Sequence, residues 1–174
     1  MFNLIAIVIL VLIAGVLLYA SRQPDHLHVE RSILIKAPAA KIFAFINDFH
    51  RWEAWSPYNK DPAMKKTYSG SDSGQGAHYA WVGNKDVGQG EITLVDSTPP
   101  SKLVFDLHMI KPFEGRNVAA FSLAAEGSDT RVSWSLDDKH KLIHKIMCLF
   151  MNLDQMIGKD FEVGLARLKD IAEK

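Results

Sequence analysis

Six short segments with strand character, each closed by turn-forming residues, fill the middle of the sequence. Apolar and polar side chains alternate along them, as where Phe105 and Leu107 alternate with Asp106 and His108. A period of two places alternate side chains on opposite faces of a strand, and connections this short join antiparallel neighbours. The sequence therefore predicts an antiparallel meander with one apolar face, whose strands cover residues 65–69, 77–82, 88–96, 102–110, 117–125 and 130–137.

A further strand and two helical segments precede this meander. Residues 27–36 alternate between apolar and polar, and Arg31 interrupts the apolar side, which indicates a strand end or a pairing with a carboxylate. Pro38 suits the first turn of a helix, and helical spacing of apolar residues continues through residue 49. Residues 50–57 indicate a second, short helix that ends at a proline turn.

The carboxy-terminal part changes period again. From Lys141 onward there is no proline, and apolar residues recur every three or four positions, which is typical of an amphipathic helix. We expect Gly158 to divide this region into a segment from about Lys141 and a long helix from about Asp160. The order of elements predicts an α+β fold in which a curved antiparallel sheet of about seven strands wraps around a long C-terminal helix.

The amino terminus carries an uncharged apolar run. Residues 2–20 read FNLIAIVILVLIAGVLLYA, and as a helix they would span about 28 Å, close to the roughly 30 Å of a bilayer's hydrocarbon core. The run predicts a transmembrane helix in residues 1–21, a linker in residues 22–26 and one domain in residues 27–174. The expected location is therefore the membrane, single-pass, with the side of the domain left open. A cleaved signal peptide and a buried core helix are the alternatives.

Charge and cysteine content exclude several functions. Twenty Lys and Arg residues balance twenty Asp and Glu residues, whereas nucleic-acid-binding domains carry a basic excess. Cys148 is the only cysteine, which excludes intramolecular disulfides and cysteine-rich zinc sites. We predict no nucleic-acid partner and no cofactor, and the sequence does not identify a protein partner.

Candidate catalytic and metal-binding groups are few. His140 and His144 are four apart on an expected helix, but the pattern lacks a third ligand and the acidic base of a zinc protease. Three polar residues, Asp48, His50 and Glu53, fit the turn that ends the first helix better than an acid–base site. The alternation of the strand that carries Asp106 and His108 places that pair on the polar face. We therefore predict no catalytic residue and no metal site.

Several stretches of this sequence together resemble a known family. They are VERSILIKAP at residues 29–38, AKIFAFINDFHRWEAWSP at 40–57, YSG at 68–70, YAWVGN at 79–84, VGQGEI at 87–92 and FEVGLARLK at 161–169. Residues 27–174 thus resemble the polyketide cyclase/dehydrase branch of the START-like, or SRPBCC, proteins. The resemblance implies a helix-grip fold with a deep cavity for an apolar small molecule such as a lipid, polyketide or quinone-like compound. The same architecture serves carriers, cyclases and co-chaperones.

The residues themselves also predict a cavity, because a curved sheet cannot pack flush against one straight helix and the space left is apolar. Plain core packing is the alternative reading for each bulky inward residue. The predicted ligand contacts are Trp55, Tyr79, Trp81, Phe105, Met109, Phe121 and Trp134 from the sheet side, with Met147, Phe150, Met151 and Phe161 from the helices.

The predicted function is binding or transport of a hydrophobic small molecule by a protein held at the membrane through its N-terminal helix. One alternative is a cyclase or dehydratase that uses water and a cavity-facing polar group such as Tyr79 or Arg116. The other is a protein-interaction module of the co-chaperone kind. A tryptophan in place of Ala120 would fill the cavity. A carrier would then lose ligand binding while staying folded, whereas an interaction module would keep its function.

Overall fold

The architecture follows from a computed structural model that describes residues 2–22, 26–139 and 152–174. One helix precedes the sheet, two short helical segments follow its first strand, and one long helix closes the chain. The elements are α1 (Phe2–Ser21), β1 (His26–Ile35), α2 (Ala39–Ile46), the 3-10 helix η1 (Phe49–Ala54), β2 (Lys65–Gly70), β3 (Ala77–Val82), β4 (Gln89–Thr98), β5 (Lys102–Lys111), β6 (Gly115–Glu126), β7 (Asp129–Lys139) and α3 (Leu153–Ala172).

The seven strands form a single antiparallel sheet in the order β1-β7-β6-β5-β4-β3-β2. Short connections pair each strand from β2 to β6 with its successor, and β1 pairs with the other side of β7. The register of β4 against β5 shifts between Gln89 and Gly90 and again between Leu94 and Asp96. Such irregularities bend a strand and increase its twist, so they contribute to the curvature of the sheet.

Helix α3 packs its apolar side against the sheet. Phe161, Leu165, Leu168 and Ala172 are buried, at the spacing of three and four that places them on one helical face. Asn152 caps the helix: its Oδ1 accepts a hydrogen bond from the backbone N–H of Gln155 at 2.9 Å. The concave face of the sheet and this side of α3 therefore enclose the core.

These elements confirm the predicted α+β architecture, because a seven-stranded antiparallel sheet with a C-terminal helix fits a helix-grip fold. The predicted strands agree with the observed ones to within two residues at each end. Arg31, which interrupts the apolar side of β1, pairs with carboxylates of α3: its Nη2 lies 3.1 Å from Asp154 Oδ2 and its Nε lies 3.0 Å from Glu162 Oε1.

The predicted break at Gly158 is wrong. Helix α3 begins at Leu153 and runs through Gly158, which is buried within it. The glycine serves close packing, because a Cβ there would overlap the guanidinium of Arg31. The predicted helical segment from about Lys141 lies outside the described residues.

The predicted membrane anchor is contradicted. Counted over the residues that the structure describes, no helix reaches the length and apolarity that a membrane span requires. The predicted single-pass membrane location is contradicted by the same finding.

Candidate ligand cavity

A cavity of about 310 Å³ lies between the concave face of the sheet, η1 with the segment after it, and α3. Its volume falls at the small end of the range for small-molecule sites, which is roughly 300–1,000 Å³. Most of its wall is aromatic or aliphatic. The lining residues are Phe49, Trp52, Glu53, Ser56, Tyr58, Asn59, Met64, Lys66, Tyr68, Tyr79, Trp81, Asp86, Val87, Ile92, Phe105, Leu107, Met109, Asn117, Ala119, Phe121, Trp134, Leu136, Ile157 and Phe161.

One wall of the cavity is a row of stacked rings that crosses the β2–β3 edge of the sheet. The register places Tyr68 directly opposite Tyr79, and their ring centroids are 5.2 Å apart with 25° between the planes. His50 stacks on the outer side of Tyr68 at 4.3 Å, and Trp81 continues the row beyond Tyr79 at 5.7 Å. Alternation along each strand is what turns these side chains to the same concave face.

Trp81 lies flat against the neighbouring strand because residue 90 has no side chain. A Cβ on Gly90 would lie 2.6 Å from Cζ2 of the indole, too close for any real contact. The indole Nε1–H donates a hydrogen bond to the carbonyl oxygen of Val87 at 3.1 Å. The glycine and this hydrogen bond together fix the ring that closes this end of the wall.

The opposite wall is a second stack that joins the sheet to α3. The Trp134 ring lies 4.0 Å from that of Phe161 with 9° between their planes, and 4.8 Å from that of Phe121 with 25°. All three side chains are almost fully buried. This stack holds the helix at the distance that leaves the cavity open beside it.

Most described members of the predicted contact set meet in this cavity. Trp55 does not line it: it is fully buried, its Nε1–H donates to the carbonyl oxygen of Phe45 at 3.1 Å, and its edge packs against Phe121 and Trp134. The lining includes Tyr79, Trp81, Phe105, Met109, Phe121, Trp134 and Phe161, while Met147, Phe150 and Met151 lie outside the described residues.

Two residues of β6 that were expected to face the cavity lie on the opposite, convex face of the sheet. The side chain of Arg116 is 65% exposed, and its Nη1 donates to Asp106 Oδ2 at 3.0 Å on the convex face. Ala120 shares that face, whereas Ala119 is buried and lines the cavity. Because side chains alternate between the two faces of a strand, a prediction that is wrong by one residue assigns the side chain to the wrong face.

The other candidate polar groups have structural partners. Asp48 caps η1 by accepting a hydrogen bond from the backbone N–H of His50 at 2.9 Å, and His108 Nδ1 lies 3.0 Å from Glu91 Oε1. His140 and His144 lie outside the described residues. Within residues 2–22, 26–139 and 152–174, no three potential metal-ligating side chains come together.

The sequence reading missed the contribution of η1 and the segment after it. Trp52 lines the cavity in place of Trp55, and its Nε1–H donates to the carbonyl oxygen of Ile46 at 2.9 Å. Tyr58 and Met64 also reach the cavity from a segment without regular structure. The pair of tryptophans three apart was the available signal, but it gave no means of choosing between them.

Polar side chains occur at several places in the wall, and one group of them lies at the β2–β3 edge. Lys66 is the single Lys or Arg among the described lining residues, and its Nζ lies 3.3 Å from Glu53 Oε1. Burial raises the pKa of Tyr79 to about 12, and it also raises the pKa of Tyr68. Both phenols are protonated at neutral pH, as a tyrosine with its ordinary pKa also is, and they can donate hydrogen bonds.

A curved antiparallel sheet that closes around a C-terminal helix and leaves an apolar cavity defines a helix-grip protein. The sequence profile of the family described as polyketide cyclase/dehydrase and lipid transport matches residues 26–173, and the chain belongs to that family. A comparison with curated proteins found no significant match.

Solved structures similar to this chain share its fold at low sequence identity. A protein of Chromobacterium violaceum is 11% identical with a TM-score of 0.61, covering 87% of this chain and 99% of its own. The Aha1 dimer protein of Colwellia psychrerythraea is 17% identical with a TM-score of 0.61, covering 84% and 96%. The di-domain ARO/CYC protein BexL, from the BE-7585A biosynthetic pathway, is 12% identical with a TM-score of 0.63, covering 89% and 52%. At such identities the likeness concerns the fold alone.

Proposed function

We propose that this protein binds a hydrophobic small molecule, of lipid, polyketide or quinone-like character, in the cavity between the sheet and α3. The observation that carries the proposal is the aromatic wall of that cavity, formed by the Tyr68–Tyr79–Trp81 row on one side and the Phe121–Trp134–Phe161 stack on the other. Apolar surface that faces an internal space gains free energy when a ligand displaces water from it. The name of the family, which joins cyclases with lipid transport, supports the same class of ligand.

The volume of the cavity limits the ligand. About 310 Å³ accommodates one compact molecule, at the lower bound of drug-sized sites. We therefore expect a stoichiometry of one ligand per chain. In this proposal the predicted domain of residues 27–174 provides the complete binding unit.

The test is native mass spectrometry of the full chain purified from its own host, followed by organic extraction and identification of bound molecules. Ala119→Trp places an indole inside the cavity, whereas Ala120→Trp, one residue along the same strand, places it on the convex face. We expect one co-purifying hydrophobic molecule in the wild type and in Ala120→Trp, and none in Ala119→Trp. Equal occupancy in both variants would show that the molecule binds elsewhere.

A second candidate is an enzyme of the cyclase or dehydratase kind, favoured by the presence of the Tyr79 phenol in the cavity wall. With a pKa of about 12, this phenol would act as a hydrogen-bond donor to a carbonyl oxygen rather than as a base. The test is turnover of a linear poly-β-ketone thioester by the wild type and by Tyr79→Phe. Product formation that falls at least tenfold in Tyr79→Phe while binding persists would support the enzyme.

A further inference from the structure

The charged groups of the cavity wall are unequally exposed. The side chain of Lys66 is 21% exposed, whereas that of Glu53, its ion-pair partner, is 74% exposed. Asp86, the other carboxylate in the lining, is also exposed. The Lys66 side chain is therefore the least exposed of the three charged groups among the described lining residues.

Lys66 shares its face with two further hydrogen-bond donors. On β2 it lies two residues from Tyr68, on the same concave side, and Tyr68 pairs across the strands with Tyr79. Both phenols are protonated at neutral pH, as a tyrosine with its ordinary pKa also is, and burial raises their pKa further. Among the described residues, no side-chain hydrogen bond engages either phenolic oxygen. One ammonium and two hydroxyls without a side-chain partner on adjacent strands place three hydrogen-bond donors together in this part of the wall.

Glu53 is a replaceable partner for Lys66. Ion pairs between exposed side chains contribute little, because water and salt screen them and both side chains lose entropy. An anionic group held by a ligand whose body fills the cavity arrives already positioned, and it meets the ammonium in a less hydrated environment, where the attraction is stronger. The geometry thus allows exchange of one carboxylate for another oxyanion.

We propose that the ligand of this cavity is amphipathic and carries a single anionic head group, which Lys66 binds in place of Glu53 while Tyr68 and Tyr79 donate hydrogen bonds to it. This inference rests on the proposed function, since it assigns the polar end of the same ligand. The apolar end would lie against the Phe121–Trp134–Phe161 stack. Lys66 is then the residue that selects acids over neutral molecules of the same shape.

Two fluorescent probes that differ in one group test this assignment. 8-Anilinonaphthalene-1-sulfonate is an anion, and N-phenyl-1-naphthylamine has the same ring system without the sulfonate. Their dissociation constants are measured on the full chain, and the signal of the Ala119→Trp variant is subtracted as binding outside the cavity. Binding of the neutral probe shows whether the cavity accepts an apolar molecule. The ratio of the two dissociation constants shows how much the sulfonate group adds to the affinity.

We expect Lys66→Met to raise the dissociation constant of the sulfonate probe about tenfold, the effect of one charge-assisted hydrogen bond, and to change that of the neutral probe less than twofold. Lys65→Met is the matched control, because Lys65 lies on the opposite, exposed face of β2, and it should change neither constant. Glu53→Gln should tighten the sulfonate probe two- to fivefold, roughly the effect of removing an exposed ion pair. Lys66→Arg should retain sulfonate binding, which also guards against a folding defect in Lys66→Met.

The outcomes separate the two proposals. If each probe binds the wild type and Ala119→Trp with the same dissociation constant, the proposed function is wrong. The head-group assignment rests on that function and is then wrong as well. If the neutral probe binds in the cavity but Lys66→Met weakens both probes equally, or neither, then only the head-group assignment is wrong.

Discussion

The guanidinium of Arg31 on β1 lies against the backbone of Gly158 in α3, so closely that a Cβ at position 158 would lie 2.7 Å from Nε and overlap the rest of the group. From this position Arg31 reaches Asp154 before the glycine and Glu162 after it, with N···O distances of 3.1 and 3.0 Å. The guanidinium thus lies against a helix residue that has no side chain. This contact joins the first strand to the last helix.

Gly158→Ala should stabilise the protein less than helix propensity predicts, because the alanine methyl group meets the Arg31 guanidinium. Helix propensity alone would favour alanine by about 1 kcal/mol, but the added methyl group displaces the guanidinium from its two carboxylates. In an Arg31→Ala background only the propensity term remains, so there the same substitution should raise the free energy of unfolding by up to about 1 kcal/mol. Urea unfolding of the four proteins measures both effects. An equal effect of Gly158→Ala in both backgrounds would show that Arg31 does not require the glycine.

Phe161→Ala should be among the most destabilising single substitutions in α3. Phe161 is 1% exposed and stacks on Trp134 at 4.0 Å, and truncation of a buried phenylalanine costs about 3–5 kcal/mol. Phe161→Leu should cost about 1–1.5 kcal/mol because most of the volume is kept. Val163→Ala, on the exposed side of the same helix, serves as the control with an expected loss below about 0.5 kcal/mol. Equal losses for Phe161→Ala and Val163→Ala in denaturant titrations would contradict the packing of α3 described above.

Tyr79 should make stability depend on pH in the alkaline range. Burial raises its pKa from 10.0 to about 12 in the folded state, so the unfolded chain loses this proton first. The contribution of Tyr79 to stability is complete below pH 10 and is lost as the pH rises towards 12. Ultraviolet absorbance of phenolate should show a titration near pH 12 that is missing in Tyr79→Phe, and the alkaline loss of stability should be smaller in that variant. A Tyr79 titration near pH 10 would contradict the burial of its hydroxyl.

His28 should titrate above its ordinary pKa. Its Nδ1 lies 2.7 Å from Asp137 Oδ1 on the neighbouring strand, and this hydrogen bond is the largest cause of a pKa raised from 6.5. The protonated form is favoured in the folded state, so its stabilising effect is present below pH 6.5 and is lost as the pH rises through the folded pKa. An NMR titration of the imidazole should show Asp137→Asn returning the pKa towards 6.5. Glu30→Gln should lower the pKa of His28 by less, because Glu30 Oε2 is 3.4 Å from Nε2. A larger decrease in Glu30→Gln than in Asp137→Asn would show that Glu30 is the main partner of His28.

Much of the fold was predictable because its signals are local. Alternation and turn residues located every strand of the meander, and the three-to-four spacing located the terminal helix. The resemblance of residues 27–174 to a known family added the helix-grip arrangement, and the match over residues 26–173 establishes the family. The apolar run at the amino terminus led to a membrane anchor that the structure contradicts.

The cavity was predictable as a kind of site but not residue by residue. Trp52 and Trp55 are three apart and equivalent by spacing, yet Trp52 lines the cavity and Trp55 packs behind it. Lys66 is the second of two consecutive lysines at the start of a predicted strand, and nothing local shows that its side chain reaches the cavity wall. These assignments depend on which elements face each residue, and that is set by contacts between distant parts of the chain.

Local patterns in the sequence predict which segments form strands and helices and which face of each is apolar, because these properties repeat with the period of the backbone. What each face contacts is set by the three-dimensional packing: Gly158 continues a helix and accommodates Arg31, Ala119 rather than Ala120 lines the cavity, and Lys66 is the single Lys or Arg among the described lining residues. Close packing and ion pairs join residues more than a hundred positions apart, and no local pattern records such distances.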